Sequence, residues 1–227
     1  YCYTRLNNER QRFERFCQTE MKWTQELLAF VEDHEHDDVR QLALQANRYA
    51  NIDMQFAIRQ IKGRQIAKEK ISTWYKYKEL LYPLHLSMEQ ASSEITAKYK
   101  KGLCQGKTFT DLTGGLGVDF YFMSQHCESA TYVEQNADLT GIAKQNFEIL
   151  PHATEIEIVN DDSVSFLQSM PSVDTIYIDP ARRDSVGRKT VLISDCTPNL
   201  EEIDELLNIK SKQTIIKLSR VCAYLKC

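Results

Sequence analysis

Past Lys107 the sequence alternates short β-type runs with stretches of helical length, and no other feature constrains the fold as tightly. β-branched and aromatic residues gather at 108–112, 130–133, 155–159, 175–178 and 214–218, and helix-length segments begin near Val118, Asn136, Ser163 and Pro198. Strands joined by single helices pair in parallel, because each crossover helix returns the chain to the starting edge of the sheet. Residues 101–227 are therefore expected to form an α/β unit, a parallel sheet covered by helices. Ligands in such sheets bind outside the carboxyl ends of the strands, near the switch in strand order. The residues that follow each strand are the ones to read for chemistry.

Residues 1–100 have a different texture. Trp23, Leu27, Leu28 and Val31 recur at three- and four-residue steps, as do Leu42, Ala46 and Tyr49, then Met54, Ala57, Ile58 and Ile61. That spacing predicts helices, with breaks at the acidic stretch 32–38, at Gly63 and at Pro83. An all-α region is expected ahead of the sheet. Charge divides the same way: residues 1–110 hold 18 Lys/Arg against 14 Asp/Glu (+4), and the remaining residues hold 10 against 18 (−8), which sum to the net −4. The basic excess is densest over 59–101, where Arg59, Lys62, Lys70, Lys76 and Lys78 are candidates to meet a polyanion.

Several classes are disfavoured. No apolar run approaches the ~20 residues that span a membrane, so no membrane association is expected. The polar start is not a secretory signal, and the lack of an initiator Met suggests a piece of a longer chain. The seven cysteines are scattered and none forms Cys-x-x-Cys, so no zinc site, no other metal and no disulfide framework is indicated. A reduced, cytoplasmic setting is the simplest expectation. His34-Glu35-His36 reads as an inter-helix loop rather than a metal site, and Trp74, Tyr75 and Tyr77 as a core-facing helix or, alternatively, a stacking platform between lysines.

The first strand runs into Asp111-Leu112-Thr113-Gly114-Gly115-Leu116-Gly117-Val118-Asp119. Glycines there let the backbone turn tightly and approach a ligand, and the next helix offers free amides. The second strand is followed by Glu134-Gln135. An acid about 20 residues beyond a glycine loop can accept both ribose hydroxyls of an adenosine cofactor, whether NAD or S-adenosylmethionine. After the third strand come Asp161 and Asp162, able to accept the adenine amine or simply to cap a helix. After the fourth come Asp179-Pro180-Ala181-Arg182-Arg183-Asp184, an unusual group for mere turn chemistry.

The order of these features resembles that of class I, Rossmann-like, S-adenosylmethionine-dependent methyltransferases. Asp111 to Gly117 is similar to their first motif, with Thr113 in place of the first glycine. Glu134 resembles the ribose-binding acid, Asp162 the adenine-binding acid, and Asp179-Pro180-Ala181-Arg182 the catalytic tetrapeptide of amino-methyltransferases, usually Asp/Asn-Pro-Pro-aromatic. Upstream, Gln90-Ala91-Ser92-Ser93-Glu94-Ile95-Thr96-Ala97 resembles the Ser/Thr-Pro-Glu-x-x-Ala element of trimethylguanosine-synthase-like enzymes, which implies that Ser93 and Thr96 hold the methionine end of the cofactor. With Gln60-Ile61-Lys62-Gly63-Arg64 added, the chain looks like a family of bacterial methyltransferases that carry a helical N-terminal region, a catalytic domain and a C-terminal THUMP-like, RNA-associated domain. The resemblance implies an RNA substrate, S-adenosylmethionine as cofactor, a cofactor set of Ser93, Thr96, Asp111, Thr113, Gly114, Gly115, Gly117, Glu134, Gln135, Asp161, Asp162 and Asp179, and catalytic residues Asp179, Pro180, Ala181 and Arg182. It also implies that the last two strands of the sheet, and a further domain needed for RNA binding, lie beyond Cys227. The family's Lys-Leu-Ser-Pro after the fifth strand reads here Lys217-Leu218-Ser219-Arg220.

Three other readings stay open on sequence alone. Uridine C5 methyltransferases also show Asp-Pro-Ala/Pro-Arg but need a nucleophilic Cys beyond the fifth strand; Cys222 lies there without its expected Asn-Pro context. An NAD-dependent dehydrogenase predicts Gly-x-Gly-x-x-Gly, which this loop does not spell. A noncatalytic RNA-binding adaptor would keep the fold without needing Asp179. Arg182 and Arg183 suit phosphate contact or base stacking, and equally salt bridges to Asp184 or Asp195.

Overall fold

In the computed structural model of the chain, the described residues are 23–181 and 196–218. Helices come first: α1 (Gln25–Asp33), α2 (Val39–Leu44), a 3-10 turn (Ala46–Arg48), α3 (Met54–Lys70), α4 (Ser72–Tyr75), α5 (His85–Gln90) and α6 (Glu94–Lys101). The α/β part follows as β1 (Thr108–Asp111), α7 (Val118–Ser124), β2 (Ser129–Val133), α8 (Ala137–Ile149), β3 (Glu155–Val159), α9 (Ser163–Ser169), β4 (Val173–Ile178), α10 (Leu200–Lys210) and β5 (Ser211–Ile216). Thr24, Asp38, Asp53, Asn136, Asp162 and Asn199 cap helices with side chains that accept from first-turn amides, the groups a helix leaves unpaired.

The five strands are all parallel in the order β3-β2-β1-β4-β5. The order reverses between β1 and β4, which puts the switch point, and hence the expected ligand crevice, at their carboxyl ends. Alternation along β4 sends Tyr177 to one face and Ile176 and Ile178 to the other. The second face packs on α9 and α10 through Leu167, Met170, Leu200, Ile203 and Leu207. The first packs on α7 and α8, and its core runs on without a break into the helical region through Trp74, Leu80, Leu81, Tyr82 and Met88. The helical region and the first face of the sheet therefore share one hydrophobic core. Among the described residues no helix is long and apolar enough to cross a membrane, and no group of His, Cys, Asp and Glu is placed to hold a metal.

The features read as ambiguous in the helical region have structural roles. Glu35 accepts two hydrogen bonds from Arg64 (3.2 and 3.0 Å) and one from Tyr75, and the Trp74 ring is fully buried. Of the five basic candidates, Lys70 donates to the carbonyls of Met88 and Glu89, Lys78 pairs with Glu32, and Arg59 lies over the Phe56 ring. The positive excess is thus partly consumed in holding the helices together, which net charge along a sequence does not reveal.

Glu94, from the Ser-Glu element, caps α4 from outside. Its carboxylate accepts from Thr73 N (2.7 Å), Thr73 Oγ1 (2.6 Å) and Ser72 Oγ (3.1 Å), and pairs with Lys98 at 2.6 Å. Burial pushes its pKa up, but the Lys98, Thr73 and Ser72 donors outweigh that and hold it down at about 2. A folded-state pKa below the unfolded value contributes stability above the unfolded pKa, and this is lost as pH falls from about 4.5 to about 2. Thermal melts over that range are expected to fall less steeply in Glu94→Gln than in the unmodified chain. Parallel curves would show that Glu94 is not the group responsible.

Candidate functional site

The loop after β1 is bent by its glycines and pinned from three sides. Gly114 donates to Val133 O (2.8 Å), and Gly117 donates to Gly114 O (2.8 Å). A Cβ on Gly114 would lie 2.2 Å from the Tyr132 ring, so nothing larger fits. Gly117 caps α7 at φ +87, a left-handed conformation that favours glycine. Gly115 has φ +55 and open space where a side chain would go, the nearest atom being Thr113 O at 3.8 Å. Its N–H donates to Glu134 Oε2 at 2.8 Å, and Glu134 Oε1 accepts from Asn136 N at 2.8 Å. The acid after β2 is thereby oriented toward the loop after β1. Thr113, where the motif usually has glycine, accepts from Asp179 N through Oγ1 at 2.7 Å and ties the ends of β1 and β4 together.

A cleft of about 640 Å³ opens at these strand ends. Of the residues singled out in the sequence, Asp111, Thr113, Gly114, Gly115, Gly117, Glu134, Gln135, Asp179, Pro180 and Ala181 all line it. Four others do not. Ser93 caps α6, with its hydroxyl 3.3 Å from Thr96 N and 2.8 Å from Thr96 Oγ1, so the pair satisfies its own helix terminus. The neighbouring Gln90, Ala91 and Ser92 face the cleft in their place. Asp162 Oδ2 accepts from Val164 N and Ser165 N as the cap of α9, and Asp161 accepts from Asp162 N. Ser163 reaches the cleft from that turn. Arg182, Arg183, Asp184, Asp195 and Cys222 lie outside the described residues.

Beneath the cleft is a polar cluster that sequence reading did not assemble. Lys100 of α6 is paired with Asp119 of α7 and donates to Tyr177 Oη and Ser92 Oγ at 3.0 Å each. Tyr177 and Ser92 donate in turn to Asp119 Oδ2, at 2.8 and 2.7 Å. Lys217, just past β5, lies 2.5 Å from Asp179 Oδ2 and 3.2 Å from Ser92 Oγ. Burial lowers the Lys100 pKa against the pull of Asp119, and burial raises that of Tyr177. Asp111 is fully buried, and burial drives its pKa well up despite a hydrogen bond from Thr113 N. Asp111 Oδ2 and Asp119 Oδ1 are buried without a partner among the described residues. Lys217 had a legible signal: it stands at the carboxyl end of a strand, as Asp179 does.

No family model and no curated protein matches the sequence. Among solved structures, a candidate methyltransferase from Porphyromonas gingivalis W83 is similar over 89% of this chain and 51% of its own, with 26% identity and a TM-score of 0.71. The fold is the Rossmann-like methyltransferase fold. Looser similarity is found to a candidate methylase from Haemophilus influenzae (17% identity, 59% of this chain and 81% of that one, TM-score 0.41). A candidate RNA methyltransferase from Pyrococcus horikoshii is comparably distant (16% identity, 67% and 74%, TM-score 0.41). This chain spans about half the length of the Porphyromonas protein.

Proposed function

We propose that the chain is an S-adenosylmethionine-dependent methyltransferase that modifies an exocyclic base amine, guanine N2 or adenine N6, in RNA. The observation that carries this reading is the meeting of the glycine loop, Glu134 and Asp179-Pro180 in one cleft at the switch point of a methyltransferase-type sheet. The cleft suits the cofactor on independent grounds. Two buried carboxyl oxygens, Asp111 Oδ2 and Asp119 Oδ1, lack partners among the described residues and are open to a hydrogen-bond donor of the methionine end. Glu134 has two of its roughly four acceptor positions filled, which leaves the others for ribose hydroxyls. Open space at Gly115 admits a ligand against the backbone.

When bound, the cofactor supplies a methyl carbon already activated by its sulfonium. The protein then has to position a nucleophile in line with it. In this reading Asp179 Oδ1 accepts one N–H of the target amine and the carbonyl of Pro180 accepts the other, which turns the nitrogen lone pair toward the methyl without a strong base. The target base must be unstacked to reach the cleft. The THUMP-like and trimethylguanosine-synthase-like affinities and the remaining RNA contacts of the whole protein rest on the motifs quoted above, and a cytoplasmic setting rests on the scattered cysteines. Lys62, half-buried, and Lys76, exposed, are the basic RNA contacts proposed within this chain.

Calorimetry tests the reading directly. Glu134→Ala is expected to weaken S-adenosylmethionine binding by about 1.5–3 kcal/mol, the usual range for hydrogen bonds to a charged group. Unchanged affinity would remove Glu134 from the site, and a preference for NAD would overturn the whole class.

A further inference from the structure

Lys217 brings Asp179 a positive charge that a simple hydrogen-bonding acceptor does not need. Its Nζ lies 2.5 Å from Asp179 Oδ2, is steadied by Ser92 Oγ at 3.2 Å, and lies 3.9 Å from Asp119 Oδ2. Asp119 already has its own buried partner in Lys100. The carboxylates on the cleft floor are thus matched one to one with ammonium groups: Asp119 with Lys100, and Asp179 with Lys217. The third acid, Asp111, is fully buried, and that burial favours its neutral form. From α3, the ammonium of Lys70 adds positive charge toward Lys217. Among the described residues Asp179 Oδ1 has no partner, and Asp179 lines the cleft, so one acceptor oxygen stays open with the negative charge already balanced.

We infer that Lys217 is a specificity residue: by neutralising Asp179 it restricts the methyl acceptor to an uncharged, planar, hydrogen-bond-donating amine. A protonated aliphatic amine, such as a lysine side chain or a polyamine, is rejected. A protonated amine has no lone pair to attack with, and it needs net negative charge to offset the loss of water. Beside Asp179 the cleft supplies neither a strong base nor that charge. A neutral base amine needs only the acceptor, which remains. This inference rests on the methyltransferase reading and names the class of group that its site accepts.

Two cofactor analogues make the test independent of any RNA. S-adenosylhomocysteine is neutral where the methyl would be, and sinefungin carries a protonated amine at that point. By calorimetry on the full chain, sinefungin is expected to bind within about threefold of S-adenosylhomocysteine, because Lys217 cancels Asp179. In Lys217→Met the ratio is expected to shift toward sinefungin by at least about tenfold, with S-adenosylhomocysteine affinity retained, and Lys217→Arg should restore the original ratio. An unchanged ratio in Lys217→Met, or a strong preference for sinefungin in the unmodified chain, overturns the inference and leaves the methyltransferase reading intact. Failure of the unmodified chain to bind either analogue overturns that reading, and the inference with it. Should Lys217→Met lose its fold, Asp179→Asn decides. The lone ammonium left there must weaken sinefungin relative to S-adenosylhomocysteine by at least about tenfold, and an unchanged ratio again overturns the inference.

Discussion

Replacing Asp179 by alanine is expected to lower methyl transfer by at least about a hundredfold, the scale of loss when a reacting group is no longer held in line. Affinity for S-adenosylhomocysteine, which is neutral at the methyl position, should stay within a few fold. The split follows from where the residue stands. Asp179 leaves β4 at the switch point, its amide is fixed by Thr113, and its carboxylate is held by Lys217 through Oδ2. The cofactor contacts proposed here are made by the glycine loop and Glu134, across the cleft, and they survive the substitution. Transfer of labelled methyl groups from S-adenosylmethionine to total cellular RNA, followed by nucleoside mass spectrometry, measures the effect and identifies the product. Cys222→Ser provides the contrast: if it abolishes transfer while Asp179→Ala does not, the amine mechanism is wrong and carbon methylation of uridine takes its place. RNA binding with no transfer by the unmodified chain would favour the adaptor reading.

The second large effect is on stability. Residues 80–82, outside any helix or strand, pass between α3 and α8 fully or almost fully buried, with backbone groups that no strand satisfies. Two side-chain amides take the place of neighbouring strands. Asn146 of α8 accepts from Leu81 N at 2.7 Å and donates to Leu81 O at 2.9 Å. Gln60 of α3 does the same for Tyr82, at 2.8 and 3.2 Å. Asn146→Ala strands one buried N–H and one buried carbonyl, each costing about 1–3 kcal/mol, so unfolding free energy is expected to drop by about 2–5 kcal/mol in urea titrations. A loss below about 1 kcal/mol would mean that the segment finds other partners. The position bears on function as well as on folding, since α8 begins just after Glu134 and its N-cap Asn136 donates its amide to that acid.

How much of this was legible beforehand depended on the range of the interaction involved. Period-two runs and turn residues located β1 to β5 with shifts of a few residues at their ends, because alternation in and out of a sheet is written locally. The sites at strand ends were legible for a related reason: a parallel sheet brings its carboxyl ends to one edge, so position along the chain implies proximity in space. Gly114, Gly115, Gly117, Glu134 and Asp179 were found that way, and they do meet in one cleft. Ser93 and Thr96 show where the procedure stops. A motif fixes which segment passes the site to within a residue or so, but the last residue before a helix is taken up in capping it, and Ser92 faces the cleft instead.

The sequence by itself determined the parallel α/β sheet, the helical region ahead of it and the order of chemical groups along the strand ends, since each depends on residues close together in the chain. Only the tertiary structure decided which charges answer one another. Lys100 meets Asp119 and Tyr177, Lys217 meets Asp179 across 38 residues and Ser92 across 125, and Asn146 meets Leu81 across 65. It likewise decided that much of the basic excess in the helical region is internal. Such pairings have no period and no local signature. They exist because burial makes an unpaired polar group costly, and the fold alone sets which partners lie within reach.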